Sequence, residues 1–481
     1  MSCLLGIDLG SSSVKVSLFD AGSGLCVDSA SYPGTEAPIK ALQPGWAEQR
    51  PDDWWEYFAQ ALNALKAPGV LKEVVAIGIS YQMHGLVCLD KDLRPLRDAI
   101  IWCDSRGVPY GQHAFDTLGH ERCMCHIFNS PGNFTATKLA WVREYEPELF
   151  ARIRYVMLPG DWLALRLTGI PATTACGLSE MMLWDFDTAD TATLVMDHLG
   201  LPHDILPPLV PTFGDQGRVS ASAAAELGIP AGIPVSYRAG DQPNNALSLG
   251  VLDPGQVAAT AGTSGVVYGI ADCRQAVPDT RINTFLHVNR HMGRMHCING
   301  CGILNAWMRR MVAGEGASYD ELNALASGVP VGSDGLSIIP FGNGAERVLE
   351  NRSVGASVHG IDLNRHGRAH LLRAAQEGIA FALYYGMELM GEMSVIKAGR
   401  ANLFLSPLFR ETLAGVSGAT IELYDTDGSV GAARGAGLGI GLYASADEAF
   451  ASLRRLGVTE PVSDPTPLLD AYKRWKSILE K

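Results

Sequence analysis

One local arrangement, a strand followed by a turn of small residues and a second strand, occurs twice in this chain. The first copy covers residues 5–18, with Gly10-Ser11-Ser12-Ser13 as its turn. The second copy covers residues 257–268, with Gly262-Thr263-Ser264-Gly265 as its turn. Two copies so far apart indicate a pair of related domains, since short-period arrays repeat much sooner. A chain of 481 residues is also too long for a single ordinary core.

The residues around these copies predict an α/β fold. Residues 3–9 form an apolar run, residues 14–18 alternate with strand period, and residues 74–79 have the composition of a buried strand. A helix is predicted to start at Pro51, because proline is tolerated in the first helical turn. Its expected apolar stripe consists of Trp54, Phe58, Leu62 and Leu65. Buried strands alternating with amphipathic helices are typical of α/β domains.

The charge balance narrows the range of partners. Lys and Arg number 38 and Asp and Glu number 51, so the formal net charge is −13. Nucleic acids and anionic membranes bind basic surfaces, so neither is expected as a partner. The chain has no apolar run long enough for a membrane span and no basic leader at its start. Its ten cysteines contain no CxxC pair and are expected to be reduced, which predicts a cytoplasmic protein.

The two turns are candidate phosphate sites. In the segment Asp8–Ser13, a carboxylate is followed by a glycine and three hydroxyls. Converging N–H and hydroxyl donors suit a phosphate, and the carboxylate suits the accompanying Mg²⁺. An ordinary Ser-rich hairpin turn explains this segment alone equally well. The second turn, Ala261–Gly265, strengthens the phosphate interpretation, because two such turns on two domains would hold a nucleoside triphosphate; neither is a Walker loop.

Two further polar groups follow predicted strands, where open α/β sheets build their ligand sites. Asp241, which directly follows Gly240, would accept a proton from a hydroxyl nucleophile. A turn-capping aspartate is the commoner explanation of an isolated Gly-Asp pair. His84 follows the strand predicted at 74–79 and suits a sugar hydroxyl, with a satisfied core histidine as the alternative.

A third segment of this kind starts at Trp102 and ends at Arg106. Trp102 suits stacking on the face of a sugar, and Asp104 and Arg106 suit hydrogen bonds to sugar hydroxyls. An ordinary Asp/Arg surface pair explains the same residues equally well.

Taken together, the sequence resembles the FGGY carbohydrate kinases over nearly its whole length. Within that family the segments are most similar to those of the xylulose-phosphorylating members, and the Met-His pair favours a ketopentose over glycerol. The segments that carry the resemblance are LGIDLGSSSVKV (5–16), QPGWAEQRPDDWW (43–55), ISYQMHG (79–85), WCDSR (102–106), NFTATKLAWVRE (133–144), GDQ (240–242), AGTSG (261–265) and ASVHGIDLNRHGRAHLLRAAQEG (356–378).

The resemblance implies a fold and an activity. The implied fold is a pair of ribonuclease-H-like domains, as in actin and hexokinase, with a cleft for ATP and sugar between them. Residues 1–245 are expected to form the sugar-binding and catalytic domain, and residues 246–481 the nucleotide-binding domain. The implied reaction is ATP-dependent phosphorylation of D-xylulose to D-xylulose 5-phosphate, with Mg²⁺ as cofactor. A homodimer is the expected assembly, since it is the commonest soluble oligomer.

The resemblance also implies roles for single residues. Asp241 is the expected catalytic base, and Asp8 is expected to hold Mg²⁺ through water. The residues expected to contact the sugar are Met83, His84, Trp102, Asp104 and Gln242. The residues expected to contact the nucleotide are Ser11, Ser12, Ser13, Gly262, Thr263, Ser264, Gly302, Gly399 and Asn402.

Two of the departures from the family pattern bear on the ligands. Gln242 stands where the family usually has Asn, and the segment 398–402 has one glycine, Gly399, where the adenine loop usually has two or three. A kinase of ribulose, fuculose, gluconate or sedoheptulose is therefore one alternative. A non-catalytic ATP-binding module of the actin or chaperone kind is an alternative from another class, and the Met-His pair and Asp241 argue against it.

Overall fold

The computed structural model describes residues 2–272, 279–313, 316–350 and 352–481. The strands are β1 (Cys3–Leu9), β2 (Val14–Asp20), β3 (Leu25–Tyr32), β4 (Glu48–Gln49), β5 (Val74–Tyr81), β6 (Val87–Leu89), β7 (Ala99–Ile100), β8 (Tyr155–Met157), β9 (Thr173–Thr174), β10 (Trp184–Asp185), β11 (Asp190–Thr191), β12 (Leu209–Val210), β13 (Val235–Gly240), β14 (Gln256–Ala261), β15 (Gly265–Ala271), β16 (Asn283–Leu286), β17 (Met292–Ile298), β18 (Ser337–Phe341), β19 (Gly355–His359), β20 (Val395–Gly399), β21 (Thr420–Tyr424) and β22 (Arg455–Thr459).

The α-helices are α1 (Pro51–Asn63), α2 (Val108–Leu118), α3 (His120–His126), α4 (Thr135–Tyr145), α5 (Pro147–Phe150), α6 (Pro159–Thr168), α7 (Ala175–Glu180), α8 (Thr193–Leu199), α9 (Ala221–Leu227), α10 (Asp241–Ser248), α11 (Gly302–Met308), α12 (Tyr319–Ser327), α13 (Arg368–Met387), α14 (Pro407–Ser417), α15 (Gly428–Gly439), α16 (Ala446–Phe450) and α17 (Thr466–Leu479). Turns of 3₁₀ helix lie at Pro68–Glu73, His203–Ile205, Ser333–Gly335, Glu346–Leu349 and Asn402–Leu405, and a π-helical turn lies at Arg309–Ala313.

The chain divides into two compact units. The first unit comprises Met1–Gly250, Phe285–Arg290 and Thr426–Leu453. The second unit comprises Val251–Thr284, His291–Asp425 and Arg454–Lys481. The first unit therefore receives two segments from later in the chain. The domain boundary predicted after residue 245 stays a prediction.

The first unit is built on a five-stranded sheet with the order β13-β5-β1-β2-β3. Strands β1, β2 and β3 form an antiparallel meander, as predicted from the alternation in this part of the sequence. Strands β5 and β13 then extend the sheet in parallel with β1. Strand β1 is buried along nearly all its length, as expected for a strand whose residues are apolar on both faces.

Helix α1 confirms the predicted amphipathic pattern. It starts at Pro51 with two acidic residues in its first turn, where the helix dipole favours negative charge. The predicted stripe is buried at Trp54, Phe58 and Leu62. Leu65, which was assigned to the same stripe, follows the end of the helix and is also buried.

Helix α15, from late in the chain, packs on the sheet of the first unit. Gly6 on β1 and Gly78 on β5 make this possible, because a Cβ at either position would overlap backbone atoms of the helix. The hydroxyls of Ser17 on β2 and Ser429 on the helix lie 2.8 Å apart. This packing brings the N-terminal end of α15 to the end of β1.

The second unit contains a seven-stranded sheet with the order β16-β17-β15-β14-β20-β21-β22. Strands β14, β15 and β17 are antiparallel, and β20 and β21 continue from β14 in parallel. Five consecutive strands, β21-β20-β14-β15-β17, thus have the same chain order and directions as the five strands of the first unit. This confirms the duplicated α/β fold that the repeated strand–turn–strand arrangement predicted.

The core of the second unit lies around helix α13, which has 20 residues and a mostly buried surface. Phe381 on α13 packs against Tyr472 and Trp475 of α17. The Trp475 indole N–H donates to the carbonyl of Ile338 on β18 at 2.8 Å, so the buried indole is satisfied. Among the residues that the structure describes, no helix has both the length and the apolar character needed to span a membrane.

Candidate active site

Asp8, Asp241 and the Met83–His84 pair lie at the carboxyl ends of three neighbouring parallel strands. Asp8 lies next to the end of β1. Gly240 ends β13 in register with Tyr81, the last residue of β5. Asp241 starts α10 directly after Gly240, and the Met83–His84 pair follows β5. Because parallel strands end at one edge of a sheet, the topology gathers these side chains at the place where α/β folds bind ligands.

The predicted phosphate turn after β1 is a closed turn. The Gly10 N–H donates to the carbonyl of Ser13 at 3.0 Å. The carbonyl of Ser11 accepts from the side-chain amide of Gln49 at 2.7 Å, which ties the turn to the start of α1. The indole N–H of Trp102 lies 3.4 Å from the Ser11 hydroxyl, although the indole itself is about half exposed, at 47%. The turn and Trp102 are therefore parts of one site.

Asp8 is a buried carboxylate with a second carboxylate, Asp427, close to it. Its Oδ1 accepts from the Ser80 hydroxyl at 2.8 Å. Burial raises the pKa of Asp8, and the carboxylate of Asp427 raises it further. Lys15 pairs with Asp427 at 2.6 Å and offsets part of this charge. A Cβ at Gly428 would overlap the Asp8 carboxylate, so the glycine that starts α15 leaves the room that this carboxylate occupies.

Asp241 has the properties of a general base. Burial, reinforced by the neighbouring Asp8 carboxylate, raises its pKa to about 7 from an ordinary value of 3.8. Hydrogen bonds from the backbone N–H and the side chain of Gln242 act in the opposite direction and limit the rise. Asp241 stays partly exposed, so a substrate can reach it. A general base works best when its pKa lies near the pH at which it acts, so a carboxyl with a pKa of about 7 suits the role predicted for Asp241 at neutral pH.

The Met83–His84 pair lies directly against the strand end that carries Asp241. A Cβ at Gly240 would lie 3.2 Å from the Met83 sulfur and would overlap its side chain, so only glycine permits this contact. The His84 ring packs edge-on against Phe134, with 4.7 Å between the ring centroids, and tilted against Phe285, with 5.3 Å between the ring centroids. Asp241 and the Met83–His84 pair are thus close neighbours within one unit.

The backbone of His84 is unusual, because its φ is 60°, in the left-handed region that favours glycine. Its N–H donates to Oε2 of Glu180 at 3.2 Å, and its ring Nδ1 lies 2.9 Å from the main-chain carbonyl of Glu180. Its own carbonyl accepts from Nζ of Lys138 at 2.9 Å. Burial holds the pKa of Glu180 well above its ordinary value and lowers the pKa of Lys138 to about 7.

Asp104 departs from the sugar-contact prediction. Its side chain is fully buried, and its carboxylate accepts from the backbone N–H of Ala47 at 2.6 Å and from the guanidinium of Arg106 at 2.7 Å. Arg106 is in turn stacked on Trp46, with the guanidinium carbon 3.9 Å from the ring centroid. An Asp104 carboxylate held in this way supports the loop that carries Trp102, and both of its oxygens already accept hydrogen bonds within the protein.

The second unit gathers most of its predicted nucleotide residues around the turn after β14. The Gly302 N–H donates to the carbonyl of Gly262 at 2.7 Å, and a Cβ at Gly302 would overlap that carbonyl. A Cβ at Gly262 would lie 3.4 Å from the side-chain nitrogen of Asn402. The Ser264 hydroxyl donates to Oδ1 of Asn299 at 3.3 Å. The small-residue turn, the start of α11 and the side chain of Asn402 therefore lie together, at the place where the sequence predicts a phosphate site.

Thr263 and Gly399 complete this set. Thr263 is exposed at the tip of the turn, and its carbonyl accepts a long bond from Ile303 N–H at 3.4 Å. Gly399 ends β20, the parallel neighbour of β14, and its carbonyl accepts from the Ala401 N–H at 2.8 Å. All the nucleotide residues predicted in this unit thus follow two adjacent strand ends or begin the neighbouring helix α11.

Four supporting groups had no predicted role: Gln49, Lys138, Glu180 and the Asp427–Gly428 pair. Gln49 and Lys138 lie inside segments that carried the family resemblance. The residues around them form no local motif that indicates a function for either side chain. A lysine among small and apolar residues, in Thr135–Leu139, is the one available signal, since such a lysine is buried only with partners. Nothing in the local sequence distinguishes Glu180.

The fold and the site together define a class of protein, the sugar kinases of the actin and hexokinase ATPase fold. Known proteins agree with this class. The N-terminal domain of the FGGY family of carbohydrate kinases matches residues 3–248. A xylulose kinase of Klebsiella pneumoniae is 31% identical over 443 residues, which cover 90% of this chain and 88% of the relative. The chain belongs to the FGGY family of carbohydrate kinases, and it is a sugar kinase.

Two further relatives extend the comparison. The L-xylulose/3-keto-L-gulonate kinase of Escherichia coli is 30% identical over 495 residues, which cover 98% of this chain and 94% of the relative. The crystal structure of a xylulose kinase from Rhodospirillum rubrum superimposes with a TM-score of 0.89 at 25% identity, covering 99% of this chain and 98% of that one. The similarity therefore spans both units.

Proposed function

We propose that this kinase transfers the γ-phosphoryl group of ATP to the terminal hydroxyl of D-xylulose, which yields ADP and D-xylulose 5-phosphate. The observation that carries the proposal is Asp241, a partly exposed carboxylate with a pKa of about 7 beside the Met83–His84 pair. The similarity to xylulose kinases supports the choice of sugar.

In this mechanism Asp241 accepts the proton of the attacking hydroxyl while the new oxygen–phosphorus bond forms. Phosphoryl transfer depends mainly on in-line positioning and on neutralising charge, and covalent participation by the protein is not required. Met83 and His84 would orient the sugar so that its terminal hydroxyl meets the base. Alignment of this kind supplies roughly 7–11 kcal/mol of a barrier.

The nucleotide is proposed to bind through the small-residue turns. The Ser11–Ser13 turn and the Gly262–Ser264 turn would donate N–H and hydroxyl hydrogen bonds to phosphate oxygens. Gly302, Gly399 and Asn402 are proposed to complete the nucleotide contacts in the second unit. The side chain of Asn402 lies near Gly262, where it would act as a polar contact.

Mg²⁺ is proposed to accompany ATP, and the residues of the first unit fit such an ion. The Asp8 carboxylate lies in a field of excess negative charge from Asp427 and Asp241, which a cation would relieve. Carboxylate oxygens and water are the ligands that Mg²⁺ prefers. When bound, Mg²⁺ would neutralise charge on the phosphates; Asp8 would hold it through water.

A coupled ADP-release assay with Mg-ATP tests the proposal. The panel should contain D-xylulose, L-xylulose, L-ribulose, sedoheptulose, gluconate and glycerol. Turnover of D-xylulose well above every other member supports the proposal. Turnover of another sugar in the panel but not of D-xylulose would contradict D-xylulose as the substrate and keep the kinase activity. Absence of any sugar-dependent turnover would contradict sugar phosphorylation by this chain.

L-xylulose or 3-keto-L-gulonate is the second candidate substrate. The observation that favours it is the E. coli relative with that activity in its name, which is as similar to this chain as the xylulose kinases are. The side chain of Gln242, next to Asp241, would contact the sugar hydroxyl that distinguishes these candidates from D-xylulose. Adding 3-keto-L-gulonate to the panel separates the two candidates by kcat/KM.

Replacing His84 with alanine is expected to raise the sugar KM by about 3- to 10-fold, the value of one hydrogen bond of 0.5–1.5 kcal/mol. The ATP KM should stay within about two-fold, because His84 lies with the sugar residues. Steady-state kinetics with each substrate varied in turn measure both constants. An unchanged sugar KM and kcat would contradict the placement of this pair at the sugar.

Replacing Gly302 with alanine is expected to raise the ATP KM by at least about 5-fold and to leave the sugar KM nearly unchanged. The added methyl would overlap the Gly262 carbonyl, and overpacking of this kind costs about 1–3 kcal/mol. Gly367→Ala is the matched control, since a Cβ there has no neighbour within 4 Å. Equal effects of both variants on the ATP KM would contradict a nucleotide role for this turn.

The homodimer and the cytoplasmic location stay predictions. Size-exclusion chromatography with light scattering measures the first directly. A mass near twice 51.4 kDa would support the dimer, and a mass near 51.4 kDa would contradict it.

A further inference from the structure

His84 has a left-handed backbone conformation that its proposed sugar contact does not explain. A φ of 60° is uncommon for any residue other than glycine, and it persists only where the surroundings hold it. The residues that surround this peptide are therefore expected to determine where the ring lies. Two of them, Glu180 and Lys138, have no part in the proposed reaction.

Glu180 and Lys138 hold the backbone of His84 from opposite sides. Oε2 of Glu180 accepts from the His84 N–H at 3.2 Å, and Nζ of Lys138 donates to the His84 carbonyl at 2.9 Å. Lys138 also donates to the carbonyl of Ile101 at 3.0 Å, and the Tyr81 hydroxyl donates to Oε1 of Glu180 at 2.5 Å. Each side chain thus links His84 to a second element of the unit.

Both side chains are deeply buried. Glu180 is 2% exposed and Lys138 is 0% exposed. Burying ionisable groups is costly unless hydrogen bonds compensate, and here the compensation is made largely with the peptide of His84 and the neighbouring strand ends. The hydrogen bonds that compensate for the burial of Glu180 and Lys138 therefore also hold the peptide of His84 in place.

The ring of His84 is held by the same neighbour. Its Nδ1 lies 2.9 Å from the main-chain carbonyl of Glu180, and a carbonyl oxygen only accepts hydrogen bonds. Nδ1 therefore carries a hydrogen and donates it to this carbonyl. The edge-on contact with Phe134 limits rotation of the ring in the other direction.

We propose that Glu180 and Lys138 are positioning residues that hold His84 in the left-handed conformation and thereby set the sugar affinity of the Met83–His84 pair. This inference rests on one part of the proposed function, namely that the Met83–His84 pair contacts the sugar. The two residues act through His84; they are not assigned contact with the sugar or with ATP.

Kinetics of Glu180→Met and Lys138→Met test the proposal. Each variant is expected to raise the sugar KM by about 3- to 10-fold, as loss of one hydrogen bond would, with the ATP KM within about two-fold of wild type. Glu180→Gln keeps an oxygen acceptor and the side-chain shape, so it should recover most of the affinity and serves if the Met variant does not fold. A sugar KM within about two-fold of wild type in Glu180→Met and Lys138→Met would overturn the proposal.

A matched control and a double-mutant cycle separate positioning from general stability. Asp185→Leu removes a buried carboxylate of the same unit whose partners are His126 and the N–H groups of Asp187 and Thr188, and it should leave the sugar KM unchanged. In a His84→Ala background, Glu180→Met should add little, because residues that act through one another are not additive. Fully additive effects would overturn the proposal.

The ¹⁵N resonances of the His84 ring provide a readout that needs no substrate. Wild type is expected to show the Nδ1–H tautomer, assigned by its loss in His84→Ala, and Glu180→Met and Lys138→Met should shift or broaden it. An unchanged signal in both variants would overturn the positioning role. If wild type phosphorylates no sugar, the proposed function fails, and this spectrum still decides whether the two residues hold His84.

Discussion

The substitution Asp241→Asn is expected to lower kcat by about 100- to 10,000-fold, the range that a general base contributes. The amide has nearly the shape of the carboxylate but cannot accept the proton of the attacking hydroxyl. Binding of sugar and ATP should change little, because the proposed contacts of both come mainly from other residues. Stopped-time ADP assays measure the rate, and calorimetric titration with each substrate measures the affinities.

The control for this experiment is Asp215→Asn, the same chemical change at an exposed aspartate of the same unit. It should retain wild-type kcat. A kcat for Asp241→Asn within about ten-fold of wild type would contradict the assignment of the base. Loss of sugar and ATP binding together with kcat would instead indicate a structural role for Asp241.

The second large effect is expected in the pH dependence of wild type. Asp241 has to be deprotonated to act as a base, and its pKa is raised to about 7. We therefore expect kcat/KM to fall about ten-fold for each pH unit below 7 and to level off above 8, since this constant reports the ionisation of the free enzyme. A profile that stays flat down to pH 5 would contradict a base with the raised pKa.

The same shift has a consequence for stability that is independent of catalysis. A carboxyl with a higher pKa in the folded state than in the unfolded state binds more protons when folded, so stability falls as pH rises between about 4 and 7. A change from 3.8 to about 7 corresponds to about 4 kcal/mol. Asp241→Asn should therefore melt higher than wild type at pH 8, and the difference should vanish near pH 4. Equal melting temperatures at pH 8 would contradict the raised pKa.

Several features of this protein follow from local sequence alone. The alternation in β2, the apolar run of β1 and the stripe of α1 each depend on residues close in sequence, so their periods predict the elements. The repeated strand–turn–strand pattern predicted the duplicated sheet for the same reason. The Gly-Asp pair at 240–241 and the segment at 79–85 were predicted at strand ends, and the register of β5 with β13 brings them together.

Other features depend on contacts between residues far apart in the chain. Asp104 was predicted to face a sugar, yet Arg106 and the Ala47 N–H occupy its carboxylate, and that pairing exists only once the loop folds back. Glu180 reaches His84 from α7, and the start of α15 reaches Asp8 from more than four hundred positions along the chain. No local period encodes such approaches.

The sequence by itself thus determined the fold class, the duplication and the strand ends at which the site forms, because these depend on short-range periodicity and turn chemistry. Only the tertiary structure decided which polar groups are satisfied inside the protein and which stay available to a ligand. The pKa of Asp241 and the conformation of His84 belong to the second kind. Both the raised pKa and the left-handed conformation arise from burial and from charges or hydrogen bonds brought close by packing, and the unfolded chain has neither the pKa shift nor the fixed conformation.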